Sequence, residues 1–196
     1  PILTNLTISG NTATYGGGMY NSSSSPTLTN ITISGNTAFA NAGGMWNAYS
    51  SSPTIINTIF WGNKKGTSST VAGADIYTSS SSSSTTITYS LTQVNSTYGT
   101  NSTNHVTSGS DPLFIDASDP DGADNVWMTA DDGLNIWNSP AYGVGTATGA
   151  PTTDITGATR GSTPSMGAYE GFARHYIDKD ASGANNGSSW ANAYTT

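Results

Sequence analysis

The sequence lacks cysteine, and it has few basic residues and no long apolar run. Without cysteine the chain has no thiolate nucleophile, no disulfide and no sulfur-ligated zinc. Five Lys and Arg against 12 Asp and Glu leave a formal charge of −7, and so few cations cannot neutralise a row of nucleic-acid phosphates. No apolar run approaches the roughly 18 residues that a membrane-spanning helix needs. Thiol chemistry, nucleic-acid binding and a spanning helix are therefore not expected.

Large apolar side chains are also scarce, since Leu, Ile, Val and Phe together number 28 of 196 residues. Disorder by composition also requires a high net charge per residue, and −7 over this length is small. Ser, Thr, Asn and Gly replace the missing apolar residues, and they favour strands and turns over helices. The composition excludes a helical bundle and favours an all-β protein.

One motif recurs along the first half of the chain. The stretch PILTNLTISGNTA at Pro1 returns as PTLTNITISGNTA at Pro26 and as PTIINTIFWGN at Pro53, with a fainter copy from Thr85. Each copy precedes a short glycine-containing segment such as GGMYN at 17–21, so each period carries three candidate strands. Periods of 25 to 32 residues are too short for propeller blades of about 40 residues. They are typical of a solenoid.

The alternation of inward and outward side chains slips at one asparagine in each copy. In the second copy the apolar residues are Leu28, Ile31 and Ile33, so the two-residue alternation breaks at Asn30. A corner of the chain at that point restores it. Asparagines stacked about 4.8 Å apart would hydrogen-bond to one another as a ladder. The predicted ladder consists of Asn5, Asn30 and Asn57.

Two further corners per period would complete a three-sided coil. Gly-Asn pairs tolerate positive φ and predict the second corner, and serine runs predict the third. The pairs are Gly10-Asn11, Gly35-Asn36 and Gly62-Asn63, and the serine runs are 22–25, 50–52 and 79–84. We therefore predict an all-β fold: a right-handed parallel β-helix, a solenoid of about four coils, at 1–110, with an irregular acidic closing region at 111–173.

The motifs of the chain resemble those of known bacterial proteins. GGMYN-like strands that pair with corners such as FWGN at 60–63 resemble the repeats of polymorphic outer-membrane-type surface proteins. DPLFID at 111–116, NSPAY at 138–142 and GAYE at 167–170 resemble the closing segment of secreted β-helix proteins with a choice-of-anchor region. The resemblance covers 1–172 and implies an exported bacterial protein, located outside the cell or on its surface.

Aspartates are concentrated in the closing region. Six of the 12 acidic residues fall within 116–132, where unshielded carboxylates would repel one another. Ca²⁺ binds closely spaced Asp oxygens and backbone carbonyls around a glycine turn, so we predict bound calcium. The alternative is a solvated loop whose aspartates cap turns. The predicted ligands are Asp119, Asp121, Asp124, Asp131 and Asp132.

Polysaccharide cleavage is the enzymatic alternative. Glycoside hydrolysis needs two carboxylates at a fixed separation, and a lyase needs a basic residue beside bound calcium. The first 100 residues offer one acid, Asp75, and two adjacent bases, Lys64 and Lys65, so no paired-carboxylate site is expected on the coils. A site that combines the aspartates of 119–132 with Arg160 stays open, although we do not expect an enzyme.

Aromatic residues recur at one position of successive coils. Tyr20 and Trp46 each follow a methionine that parity places inside, so they should point outward, and Tyr77 continues the row. Exposed rings stack on the faces of pyranose sugars, which predicts a glycan-binding surface; the alternative is that a loop or a partner covers the rings. His105 and His175 stand alone and are interpreted as surface or packing residues.

The segment 174–196 resembles the opening strand and first turn of a further β-helix of the same family. Two explanations of this segment are open. Either the sequence is cut at a boundary within a tandem array of β-helices, or the segment docks on a neighbouring copy. We favour a structural subunit of an extracellular bacterial surface assembly or filament that polymerises with itself, head to tail, by β-strand addition. A glycan-binding surface adhesin and a calcium-dependent polysaccharide lyase or hydrolase are the alternatives. The candidate assembly residues are Tyr176, Ile177, Trp190 and Tyr194.

Overall fold

A computed structural model describes residues 1–79, 83–94, 102–103, 110–172 and 182. Over these ranges the regular structure is all β, with no helix, and therefore none of the length and apolarity needed to cross a membrane. The strands are β1 (Ile2–Ser9), β2 (Thr12–Tyr15), β3 (Met19–Ser22), β4 (Thr27–Ser34), β5 (Thr37–Asn41), β6 (Met45–Ala48), β7 (Thr54–Ile56), β8 (Ile59–Trp61), β9 (Lys64–Lys65), β10 (Ile76–Thr78), β11 (Thr86–Thr88), β12 (Leu91–Thr92) and β13 (Ser102–Thr103).

The strands form three sheets in which neighbouring strands are parallel. The first sheet contains β1, β4, β7, β8, β11, β12 and β13, the second contains β2, β5 and β9, and the third contains β3, β6 and β10. Each of the first three repeats thus contributes to all three sheets. One sheet is strongly curled, and the arrangement is compatible with a β-helix-like solenoid.

The strand register confirms the alignment of the sequence repeats. Leu28 pairs with Leu3 on one side and with Ile55 on the other, and Ile55 pairs with Ile87. These four residues occupy equivalent positions of the four copies. In-register parallel pairing places like side chains above one another, so a single apolar position per repeat produces a continuous buried row.

A narrow core explains why the chain needs few large apolar residues. The coil interior is filled by Leu28, Ile31, Ile33, Met45, Ile55, Phe60, Ile76 and Ile87, all essentially inaccessible to solvent. The glycine pairs let neighbouring segments approach closely. A Cβ on Gly17 would lie 2.5 Å from the carbonyl oxygen of Thr37, and one on Gly44 would lie 2.3 Å from that of Asp75.

The described part of the closing region, 111–172, contains no named strand. It covers the face of the first sheet that points away from the coil interior. Ile59 of β8 is buried there against Ile136 and Met166, and Thr32 Oγ1 accepts a hydrogen bond from the backbone of Ala168 at 3.0 Å. This packing brings a distant part of the sequence onto the asparagine corner.

Candidate functional site

The corner asparagines adopt a left-handed backbone at the positions where the parity slip predicts corners. The φ angle is 48° at Asn5, 55° at Asn30 and 49° at Asn57, and asparagine tolerates this region better than most residues with a side chain. Asn57 Nδ2 donates to Asn30 Oδ1 at 3.2 Å. One rung of the predicted ladder therefore forms.

The other predicted rung, between Asn5 and Asn30, does not form. Asn30 Nδ2 donates instead to the carbonyl oxygen of Ser165 at 2.9 Å, and Asn5 Nδ2 donates to that of Thr153 at 2.7 Å. Asn57 exchanges two hydrogen bonds with the backbone of Thr146, at 2.8 and 2.9 Å. The closing region competes for these amides, so the corner asparagines clamp it to the coils rather than form a continuous ladder.

A buried arginine strengthens the same contact. Arg160 donates to Asn5 Oδ1 at 3.0 Å and to the carbonyl oxygen of Ala168 at 2.8 Å, and its ion pair with Glu170 is 2.9 Å long. Burial lowers the pKa of the guanidinium, and Glu170 opposes this shift. Arg160, which the sequence left open as part of a polysaccharide-cleaving site, is therefore engaged in holding the closing region against β1.

A continuous side-chain ladder runs along the second corner, where sequence reasoning predicted only turns. Asn11 Nδ2 donates to Asn36 Oδ1 at 3.0 Å, and Asn36 Nδ2 donates to Asn63 Oδ1 at 3.1 Å. The backbone N–H groups of Asn11 and Asn36 donate to the same two oxygens. Each of these two side-chain oxygens thus accepts two hydrogen bonds from the preceding coil. The recurring Gly-Asn pairs are the feature of the sequence from which this ladder could have been predicted.

The ladder ends on Asp75, which is fully buried. Asp75 Oδ1 accepts from Asn63 Nδ2 at 3.1 Å, and Oδ2 accepts from the backbone N–H groups of Gln93 and Val94 at 2.8 and 3.1 Å. Burial raises the pKa of this carboxyl to about 7, although the three donors favour the ionised form. Asp75 therefore joins the third and fourth coils through one titratable group.

Amide and hydroxyl contacts also connect coils at the third sheet and its corner. Asn21 Nδ2 donates to Asn47 Oδ1 at 2.8 Å, and Asn47 Nδ2 donates to Thr85 Oγ1 at 3.0 Å. In the serine runs, the backbone of Ser24 donates to Ser51 Oγ at 3.1 Å. The polar residues that replace a conventional apolar core thus form hydrogen bonds between successive coils.

The β1 strand is the first strand of the first sheet. Within the described residues it pairs with β4 alone. Ile2 is 81% exposed, and Leu6 is also exposed. At the start of the ladder, Asn11 Oδ1 accepts no hydrogen bond from any described residue, whereas the equivalent oxygens of Asn36 and Asn63 each accept two.

An open cavity of about 400 Å³ lies beside β1. Its walls include Leu6 and Ile8 of β1 and the loop residues Trp127, Met128 and Ile155. Trp127 is 40% exposed and Met128 is 59% exposed. The closing region therefore presents apolar side chains next to β1.

The aspartates predicted to bind calcium mainly cap turns. Asp132 is buried and accepts from the backbone of Met128 at 2.8 Å and from the hydroxyl of Tyr169. Asp131 accepts from the Thr129 hydroxyl at 2.7 Å, which lowers its pKa, and Asp124 accepts from the backbone of Val126.

Among the described residues, no group of three or more acidic or histidine side chains is arranged to hold a metal ion. Asp119 is exposed and Asp121 is half-buried. The contacts favour the turn-capping alternative, and calcium binding stays a prediction.

The predicted aromatic row occupies one register line of the third sheet. Trp46 pairs with Tyr20 and with Tyr77, at ring-centroid distances of 5.3 and 6.3 Å. Tyr15 also packs on Trp46 at 3.8 Å, and Lys65 Nζ lies 5.8 Å from the Tyr77 ring. Sequence reasoning missed Tyr15, because it lies on β2, a strand of another sheet. The Trp46 ring is half-buried by its neighbours, whereas Tyr20 remains 47% exposed.

The remaining candidates lie outside the described residues. These are the assembly residues Tyr176, Ile177, Trp190 and Tyr194, and the two histidines, His105 and His175.

Comparisons with protein-family models, with curated proteins and with solved structures find no match for this chain. The resemblance to bacterial surface repeats is therefore carried by the sequence motifs alone.

Proposed function

We propose that the chain is a right-handed parallel β-helix of about four coils that serves as a structural subunit of an extracellular bacterial surface assembly or filament. Subunits join head to tail when a segment of one copy adds a strand to the sheet of the next. Residues 174–196 are the donor segment, and they carry strand-forming residues together with Trp190. The bacterial origin and the extracellular location come from the motif resemblance.

The observation that supports this proposal is the parallel, in-register pairing of successive repeats. Sheets built in this way can accept a further strand in the same register, because the backbone groups of a terminal strand are a template for pairing. Strand addition satisfies the free backbone groups and places alternate side chains in pockets, and the cavity beside Leu6 and Ile8 provides such a pocket. A contact between different surfaces of identical subunits propagates as a filament when it does not close into a ring.

Deletion of 175–196 tests this function. The full chain should form fibres visible by negative-stain electron microscopy, and the truncated chain should stay dispersed while its far-UV circular dichroism keeps the β signal. Fibres that persist after truncation would place the assembly contact elsewhere. A full chain that remains monomeric at high concentration would contradict the proposed function.

Glycan binding is a second candidate, supported by the cluster of Tyr15, Tyr20, Trp46 and Tyr77. Because Tyr20 presents the most accessible ring of the row at 47% exposure, replacing it with Ala should abolish retention on polysaccharide columns if the cluster binds sugars. Phe39→Ala, which removes a 71% exposed ring from another sheet, is the matched control. Equal retention of both variants would contradict adhesion through this cluster.

Calcium-dependent polysaccharide cleavage is the remaining alternative. It would draw on the aspartates of 119–132 together with Arg160, whose guanidinium is paired with Glu170. Release of reducing ends or unsaturated products from a polysaccharide panel would favour this alternative over a structural role.

A further inference from the structure

We propose that the aromatic row of the third sheet, together with the ammonium group of Lys65, binds an acidic polysaccharide whose pyranose rings carry carboxylates. The rings of Trp46 and Tyr77 contact the sugar rings, and Lys65 pairs with a carboxylate. This inference rests on glycan binding, the second candidate function, because it names the class of glycan that the same residues take.

A tight turn holds Lys65 at the end of the aromatic row. Its backbone N–H donates to the carbonyl oxygen of Ser68 at 2.9 Å, and the N–H of Ser68 donates back to the carbonyl oxygen of Lys65 at 3.3 Å. Gly66 has a φ of 63° within this turn, a conformation that glycine adopts without strain. Lys65 Nζ lies 5.8 Å from the centre of the Tyr77 ring, within reach of a cation–π interaction. The backbone therefore fixes a cation beside the row.

The ammonium group of Lys65 has no carboxylate partner in the part of the chain that the structure describes, where the ion pair of Arg160 with Glu170 is the only one. Asp75 is the one acidic residue of 1–94, and it is fully buried. Its carboxylate oxygens accept hydrogen bonds from Asn63 and from the backbone of 93–94. A cation beside aromatic rings and without a counterion favours a negatively charged ligand.

Contacts within the row keep its rings in fixed orientations. A Cβ on Gly73 would lie 2.9 Å from Cδ2 of Tyr77, so the Tyr77 ring packs on a bare glycine backbone. Trp46 meets Tyr77 at an interplanar angle of 75°, and Tyr15 packs on Trp46 with ring centroids 3.8 Å apart. Rings that are ordered before the ligand arrives reduce the entropic cost of binding.

The acidic part of the molecule lies on a different sheet. Residues 111–172 hold nine of the 12 acidic residues and a single base, Arg160, and they pack on the first sheet. The aromatic row belongs to the third sheet, and residues 1–94 hold two bases and one buried acid. The closing region repels a polyanion, whereas the coils do not. The charge distribution therefore directs an acidic chain toward the aromatic row.

The chemistry of the row favours a sugar over an acidic peptide. Trp46 pairs in register with Tyr20 and Tyr77, and the ring centroids are 5.3 and 6.3 Å apart. Aromatic faces stack on pyranose rings, and a polysaccharide repeats its ring at every unit, so successive coils can meet successive sugars. Peptides are instead recognised along a strand edge or in apolar grooves, whereas the row offers aromatic faces and phenol hydroxyl groups.

Isothermal titration calorimetry with a galacturonate hexamer tests the preference for acid. The control ligand is the same hexamer with its carboxylates methyl-esterified, which removes the charge and keeps the rings. The acidic hexamer should bind about fivefold more tightly, the worth of one exposed ion pair, and added salt should remove this difference. Equal affinity for the two hexamers would overturn the inference, as would equally tight binding of poly-glutamate.

Two lysine variants locate the charge that the ligand meets. Lys65→Met should weaken binding of the acidic hexamer about fivefold and leave binding of the ester unchanged, whereas Lys65→Arg should keep both affinities. Lys64→Met makes the same change in net charge at the neighbouring exposed position, on the opposite side of the strand, and should change neither. Equal losses for Lys64→Met and Lys65→Met would contradict a specific contact, and so would a Lys65→Met variant that binds neither hexamer.

The outcomes separate this inference from glycan binding itself. If both hexamers bind equally and Tyr20→Ala abolishes both, the row binds glycans and the preference for acid is wrong. If neither hexamer binds, the inference is wrong, and a failure of every polysaccharide column to retain the wild type removes glycan binding as well.

Discussion

Buried amides take the place of aliphatic side chains at two corners of the coil. Asn30, Asn36 and Asn63 are completely inaccessible to solvent, and each one is hydrogen-bonded to another coil or to the closing region. A buried polar group that loses its partner costs about 1–3 kcal/mol. At the residue scale, stability therefore depends on the completeness of these polar contacts.

Asn30 offers a test with a matched control. Asn30→Ala should lower the free energy of unfolding by about 1–3 kcal/mol more than Asn125→Ala, because the lost amide leaves buried partners unsatisfied. Both asparagines have positive φ, 55° and 54°, but Asn125 is exposed, so the difference isolates the hydrogen bonds. Urea denaturation of both variants measures it. Equal losses would show that only the backbone conformation of Asn30 matters.

Asp75 makes the stability of the ladder depend on pH. Its pKa is raised from an ordinary value of 3.8 to about 7 in the fold, so the unfolded chain ionises this group first. Stability from Asp75 is therefore greatest below pH 4 and falls as pH rises from about 4 to about 7. Above pH 7 the carboxyl is ionised in both states and its contribution is constant.

The Asp75→Asn variant tests this dependence. The amide keeps the shape of the side chain but cannot titrate. From pH 4 to pH 7 the free energy of unfolding of the wild type should therefore fall steadily relative to that of the variant. Thermal melting at intervals of half a pH unit measures the trend. If the melting temperatures of wild type and variant differ by the same amount at every pH in this window, the role assigned to Asp75 is contradicted.

At the scale of strands, position along the repeat predicts pairing well. Leu3, Leu28, Ile55 and Ile87 are each two residues after the start of their copy, at Pro1, Pro26, Pro53 and Thr85, and they stack in that order. Neighbouring copies differ by one period, so in-register stacking follows directly from the sequence repeat.

Partners outside the repeat could not be predicted in this way. Asn30 bonds Ser165, which is 135 residues away, and nothing in either local sequence marks this pairing. Asp75 ends the asparagine ladder from a position, immediately before β10, that glycine occupies in the first two repeats, so the repeat does not predict an acidic side chain there. The repeat therefore predicts which strands pair. It does not predict the hydrogen bonds between the corner asparagines and the closing region, or the carboxyl of Asp75 at the end of the asparagine ladder.

The contact between the closing region and β1 depends on Arg160. Arg160→Met should destabilise the fold by about 3–5 kcal/mol, because Glu170 and Asn5 lose a buried partner. Lys64→Met removes the same charge from an exposed position and should change stability by less than about 1 kcal/mol.

Hydrogen exchange of peptides from 145–170 locates the effect of Arg160→Met. Faster exchange there, with β4 still protected, is the expected pattern. Unchanged exchange in 145–170 would mean that Arg160 does not hold the region in place.

At the scale of the whole molecule, parallel in-register pairing lets the sheets grow one coil at a time, because each coil pairs with the next through the same backbone groups. The head-to-tail assembly that we propose would extend this stacking from one copy to the next. A subunit of this kind would extend its β-structure along the filament axis without disulfides, since the chain has no cysteine.

Cryo-electron microscopy of the assembled full chain tests this account most directly. The account predicts that the coils of successive subunits stack head to tail, with a strand from residues 174–196 of one subunit in parallel pairing with a sheet of the next. A reconstruction in which 174–196 makes no contact with the next subunit, or in which subunits meet through other surfaces, would contradict it.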